Sequence, residues 1–243
     1  MLLQFIFLAL IVFIAAMVQS TSGFGFGIIF MAIMPLLITY KHANFLSVAT
    51  CLVLQIYVLL KLRHHLNFKL VIVPVIASLI SSSIGVRLMV NIDPHLMNFI
   101  LGFFLWTLAF YLIVIAKHVH LKKNIFVGFC AGAFGGLMEG LFAIGGPPMV
   151  AYYDSVISDP LEYQATIQTY FAITTINVVI NNIICGNFTH TLVWPLLIAI
   201  IACIAGTTVG MHILKNISMQ MIRKLAYTVM ILAGTYDILK GIL

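Results

Sequence analysis

Along most of the chain, polar residues are confined to short intervals between long apolar runs. Runs at 44–60, 70–90, 96–116, 163–186, 192–214 and 219–239 are each long enough for a helix to cross about 30 Å of hydrocarbon. Six ordinary spans are therefore predicted. Two segments break the pattern. Residues 1–40 are too long for one crossing and carry QSTSGFGFG, Gln19 to Gly27, inside otherwise apolar sequence. Residues 124–153 hold seven glycines and a Pro-Pro pair.

Composition agrees with an all-α integral membrane protein: 63% of the 243 residues are hydrophobic and 7% are charged, with a mean hydropathy of +1.18. The chain reads as a single membrane domain, 1–243. The net charge of +6 belongs to loops between spans and points to no nucleic-acid partner. A signal peptide is the simpler account of the N-terminal run, but no basic residue precedes Lys41 and the run exceeds an h-region. Cys51, Cys130, Cys185 and Cys203 have no paired spacing and read as small buried hydrophobes. No His pair stands at metal-ligand spacing with a carboxylate, so neither metal nor cofactor is expected.

The positions of Lys and Arg discriminate between topologies, because these residues concentrate in cytoplasmic loops. If each irregular segment crosses once, the basic residues divide between the two sides. If each goes in and returns as a hairpin, the loops carrying Lys61, Arg63, Lys69, then Lys117, Lys122, Lys123, then Lys215, Arg223, Lys224 share one side. With Arg87, inside a span, left out of the count, only Lys41 and Lys240 oppose them, and both termini are expected outside the cell membrane. A hairpin followed by three crossings is an odd unit, so two such units must be inverted. The expected architecture is two inverted repeats, 1–116 and 124–243, each a glycine-broken helical hairpin followed by three transmembrane helices. Internal similarity accords with duplication: SGFGFG before Pro35 parallels EGLFAIGGPP, ANFLSVATCLVLQ parallels ATIQTYFAITTIN with Gln55 opposite Asn177, and SSSIGVRLMVNI parallels GTTVGMHILKNI with Gly85 opposite Gly210.

Glycine-rich breaks at membrane depth expose amides and carbonyls that hydrocarbon cannot satisfy, so they persist only where protein buries them or a cavity hydrates them. Paired breaks at corresponding places of two inverted halves are the pattern of a transporter with a central site. Tight helix packing is the simpler role for small residues, and it weighs equally for Gly132, Gly136 and Gly140. An anion at such a site needs donors, which half-helix N-termini supply. Candidate substrate ligands in the first half are Gln19, Ser20, Thr21, Ser22, the amides of Gly23, Gly25 and Gly27, and Gln55. Gly145 and Gly146 are their counterparts in the second half. The helix over Leu161 to Gly186 adds a stripe with Gln164, Gln168 and Thr175 and another with Thr174, Asn177 and Asn181, for which interhelical hydrogen bonding is the plainer use. Glu139 is the one carboxylate deep in apolar sequence. It is a further substrate ligand and the candidate for proton coupling. Arg87 lies nearer a span end, where snorkelling accounts for it.

These features resemble the sulfite and organosulfonate exporter family of TauE/SafE type. The resemblance rests on SGFGFGIIFMAIMP, its echo GLMEGLFAIGGPP, the SIGVRL and TVGMHI elements, and overall length. Phe24 and Phe26 between the glycines, Glu139 and the Pro147-Pro148 pair depart from the family's usual pattern. The resemblance implies transport of small sulfur-containing or related organic anions across the cytoplasmic membrane. The expected partners are then a small anion and the lipid bilayer, with assembly into a homo-oligomer left open. An anion channel could share this architecture. A membrane-embedded enzyme fits less well, because Glu139 has no His or Asp at helical spacing to work with.

Overall fold

The computed structural model describes residues 2–115, 124–213, 228 and 230–239. Among these, regular structure is entirely helical. Helix α1 (Leu2–Ser22) ends at a break and is followed by short α2 (Phe26–Ile33), a 3-10 turn at Met34–Leu36, then α3 (Tyr40–Leu62), α4 (Phe68–Asn91) and α5 (Pro94–Phe110). The order repeats with α6 (Ile125–Phe142), a second break, short α7 (Gly146–Val156), α8 (Pro160–Ile184) and α9 (Val193–Ile213), and with an apolar helical segment α10 (Met230–Leu239). Seven of these helices, some prolonged by adjoining 3-10 or π turns, are long and apolar enough to cross a membrane. The chain is therefore a multi-pass membrane protein. The predicted span 219–239 is described only from α10, and the basic loops at 117–123 and 215–224 lie outside the described residues.

Local sequence sets the helix boundaries. The Asp93 carboxylate accepts hydrogen bonds from the amides of His95 at 2.8 Å and Leu96 at 3.3 Å, capping α5 behind Pro94. Asp159 does the same for α8 through Leu161 at 2.6 Å and Glu162 at 3.2 Å, behind Pro160. Both patterns combine an N-cap acceptor with a proline whose missing N–H costs nothing in the first turn. The two irregular segments resolve into one full-length helix plus one stub each. At about 1.5 Å per residue, α1 is about 31 Å long, whereas α2 and α7 reach only about 12 and 16 Å.

Packing exchanges elements between the halves: α1 lies along α9, α6 along α4, and α3 along α8. In both long contacts the helices run in the same direction, since Gly206 faces Phe13 and Gly210 faces Met17, while Gly132 faces Pro74 and Gly136 faces Ser78. Small residues allow this approach. A Cβ at Gly132 would overlap the Pro74 carbonyl, and one at Gly140 the Ser82 carbonyl, so this glycine series is used for packing. The two contacts are equivalent in detail. Gly85 meets Leu137 and Gly140, while Gly210 meets Met17 and Ser20.

Candidate transport site

The two breaks touch each other. After α1 the chain turns through Gly23 (φ 83) and Gly25 (φ 111), and after α6 through Ala143 (φ 56). The left-handed region is open to glycine at little cost but disfavoured for alanine. Ala143 therefore holds a conformation that the surrounding packing must impose. Gly27, in the first turn of α2, lies so close to Ala143 that a Cβ would overlap the Ala143 carbonyl oxygen. Gly146 faces Phe24, with 3.0 Å between the Phe24 Cβ and a methyl built on Gly146.

A cavity of about 30 Å³, room for about two water molecules, lies at this junction. Gln19, Phe24, Gly25 and Gly27 border it from the first break, Glu139 and Ala143 to Pro147 from the second, Ser47, Cys51 and Gln55 from α3, and Phe171 and Thr175 from α8. Glu139 is 5% exposed. Its Oε1 accepts a hydrogen bond from the Thr175 hydroxyl. Its Oε2 has no hydrogen-bond partner among the described residues and lies beside Gly145, 2.7 Å from where a Cβ on that glycine would stand. A buried acceptor left open in this way is costly unless something at times occupies it.

The halves contribute unequal chemistry from matching places. In the first, Gln19 bridges the break: its Oε1 accepts from the Phe26 amide at 2.9 Å and its Nε2 donates to Cys51 Sγ at 3.3 Å. In the second, Glu139 stands one turn before the break as Gln19 does, with Thr175 in the role of Cys51. This side-chain pairing sets Cys51 opposite Thr175, two residues away from the register that sets Gln55 opposite Asn177. The Pro147-Pro148 pair at the start of α7 removes two amide donors from its first turn, leaving Gly146 as its first donor.

Of the residues singled out from sequence, Gln19, Gly25, Gly27, Gln55, Glu139, Gly145, Gly146 and Thr175 border this cavity. Ser20, Thr21 and Ser22 end α1 rather than starting a half-helix: Ser20 and Thr21 bond the α1 carbonyls of Met17 at 3.1 Å and Val18 at 2.7 Å, and Ser22 Oγ lies between the Val18 carbonyl at 2.8 Å and the Phe24 carbonyl of the break at 2.5 Å. Gly23 turns the break, and its carbonyl accepts from Gln168 Nε2 at 3.3 Å. Asn177 and Asn181 face α4, where Asn177 Nδ2 donates to Ser82 and Ser83 Oγ at 3.0 Å each and Asn181 Nδ2 to Ser83 Oγ at 3.1 Å. Arg87 is exposed on α4. Sequence reasoning passed over Ser47 and Cys51. The spacing of Ser47, Cys51 and Gln55 at successive four-residue steps is the signal that would have found them, since it places all three on one face of α3.

Together these features define a polytopic helical membrane protein whose two broken helices meet at a small cavity edged by Gln19, Gln55, Glu139 and Thr175. Residues 8–236 match the profile of the Sulfite exporter TauE/SafE family, and the chain belongs to that family. The family comprises membrane exporters of sulfite and related anions. Comparison with curated proteins and with solved structures finds no match.

Proposed function

We propose that the protein moves sulfur oxyanions or organosulfonates across the cell membrane by alternating access, and that Glu139 carries a proton with the anion. The observation that carries this reading is the open Oε2 of a buried carboxyl at the junction of the two glycine breaks. A carboxyl that gains a proton can share it with an anion held alongside, so that the pair crosses with less net charge. Gln19, Gln55 and Thr175, with the backbone of Gly25, Gly27, Gly145 and Gly146, are the proposed ligands of the anion. Ser20 to Gly23, Gln168, Asn177 and Asn181 hold the walls around them. The exchange of helices between halves supports two inverted repeats, 1–116 and 124–243, with both termini outside. A cavity with room for about two waters also favours a carrier over an open pore, because the breaks must part before an oxyanion passes.

Glu139→Gln in proteoliposomes tests the proton step. The amide keeps most hydrogen bonding but cannot titrate. Sulfite flux through the variant is expected to lose its dependence on pH across the range where the wild type changes. A variant that retains both the wild-type rate and the wild-type pH profile removes Glu139 from coupling.

A further inference from the structure

A second, larger recess opens at one end of the helices. It is a cleft of about 310 Å³ bordered by the first turn of α3 (Tyr40, Lys41 and His42, after Thr39), by Met89, Ile92, Pro94 and Met97 around the α4–α5 turn, and by Gly186 and Asn187 after α8. Its lining includes one lysine and one histidine and no carboxylate. Asp93, the nearest acid in sequence, has its carboxylate engaged on the α5 amides. Lys41 is half-buried, tied to the Val90 carbonyl by a 2.9 Å bond that uses one of its three N–H donors. The Thr39 side chain makes no capping bond to α3, so first-turn amides of that helix stay available beside the lysine.

Buried amides lead from this cleft toward the central cavity. Asn187 Nδ2 donates to Asn182 Oδ1 at 2.8 Å, Asn182 Nδ2 to Asn44 Oδ1 at 3.3 Å, and Asn44 Nδ2 to the Leu141 carbonyl at 3.4 Å. Tyr40 OH, from the cleft wall, donates to the same carbonyl at 2.8 Å. Leu141 is two residues from Ala143, which borders the central cavity. All three asparagines are at most 3% exposed. These three buried carboxamides stand in series on two helices and a turn. Asn187 and Asn44 each make one donor bond of two in this series, whereas Asn182 uses both, the second on the Val178 carbonyl at 3.0 Å.

We propose that the cleft at Lys41 is an anion-binding vestibule, taking tetrahedral or pyramidal oxyanions, and that Asn187, Asn182 and Asn44 form the polar path joining it to the central cavity. This deepens the transport reading and rests on it for its purpose, while its binding chemistry stands apart. The charge of Lys41 gathers the anion, the α3 amides and the Asn187 carboxamide orient it, and Asn187 and Asn44 offer N–H donors on either side of Asn182, whose own N–H groups hold Asn44 and the Val178 carbonyl.

The test uses the purified full-length chain and needs no transport. Lysines are acylated with an N-hydroxysuccinimide ester at constant ionic strength set by gluconate, with sulfate or methanesulfonate as probes because neither consumes the reagent. Peptide-level mass spectrometry follows Lys41, with Lys69 at the opposite end of the helices as internal reference. Either probe at 20 mM is expected to slow acylation of Lys41 at least threefold relative to Lys69, and equal rates with and without both probes overturn the vestibule. In proteoliposomes, Lys41→Gln is expected to raise the KM for sulfite about fivefold and Lys41→Arg to restore it, whereas an unchanged KM in Lys41→Gln contradicts the proposal. Protection of Lys41 in a protein that moves no sulfite retires the transport reading and leaves the vestibule standing; sulfite transport without protection does the reverse.

Discussion

At the residue scale, the site depends on a few atoms that cannot be replaced by larger ones. Gly27 has no room for a Cβ against the Ala143 carbonyl, and Gly25 adopts a backbone that costs an alanine about 1 kcal/mol or more. Gly27→Ala is expected to lower sulfite flux at least tenfold at equal membrane insertion, measured by uptake normalised to reconstituted protein, and wild-type flux in that variant would mean that the two breaks need not touch. Glycine spacing made these positions legible, because φ and close approach leave a compositional trace. The hydroxyls of Ser20 to Ser22 were not legible. A polar side chain near a break looks the same in sequence whether it faces a cavity or bonds a nearby backbone carbonyl, as Ser20 and Thr21 do within α1 and Ser22 does at Val18 and Phe24. Glu139 stood out for the cost of a carboxyl in apolar sequence, but its juxtaposition with Gly145 and Thr175 is a product of the fold.

At the element scale, the six regular apolar runs could be read from length alone. Five coincide with α3, α4, α5, α8 and α9, and the sixth overlaps α10. What hydropathy did not separate is the asymmetry inside each irregular segment, a helix of membrane-spanning length followed by a stub: α2 is no less apolar than α1, and only α7, with Asp154 and Ser155, is more polar than the helix before it. The polar stripe of α8 shows the same limit. Its residues divide between the cavity and a seam with α4, and the division depends on helix rotation that periodicity leaves undetermined within a residue or two. Asn177 belongs to the seam, with its Nδ2 close to three oxygens on α4: the Leu79 carbonyl at 3.0 Å and the hydroxyls of Ser82 and Ser83. Asn177→Ala is expected to destabilise the protein by about 1 to 2 kcal/mol, read as a lowered Tm in detergent, with the KM for sulfite within twofold of wild type. An undisturbed Tm together with a raised KM would move Asn177 from the seam into the substrate path.

At the scale of the whole molecule, α1 packs along α9 and α6 along α4, and the proposed alternating access requires these pairs to move about the two touching breaks. If the proposed repeats are inverted, the loops at 61–69 and 215–224 are expected on the same face of the membrane. Single cysteines placed in each loop are expected to react with an impermeant maleimide from the same side, and labelling from opposite sides would contradict the inversion. The central claim is that the meeting breaks form a carrier site for a small sulfur-containing anion, and sulfite counterflow tests it most directly. Proteoliposomes are loaded with unlabelled sulfite, diluted into a trace of the radiolabelled anion, and followed for transient accumulation. Saturable accumulation above equilibrium is expected in wild type, and its loss in Gly27→Ala. Dissipative entry without overshoot would indicate a pore, and label entering no faster than into protein-free liposomes would contradict sulfite transport.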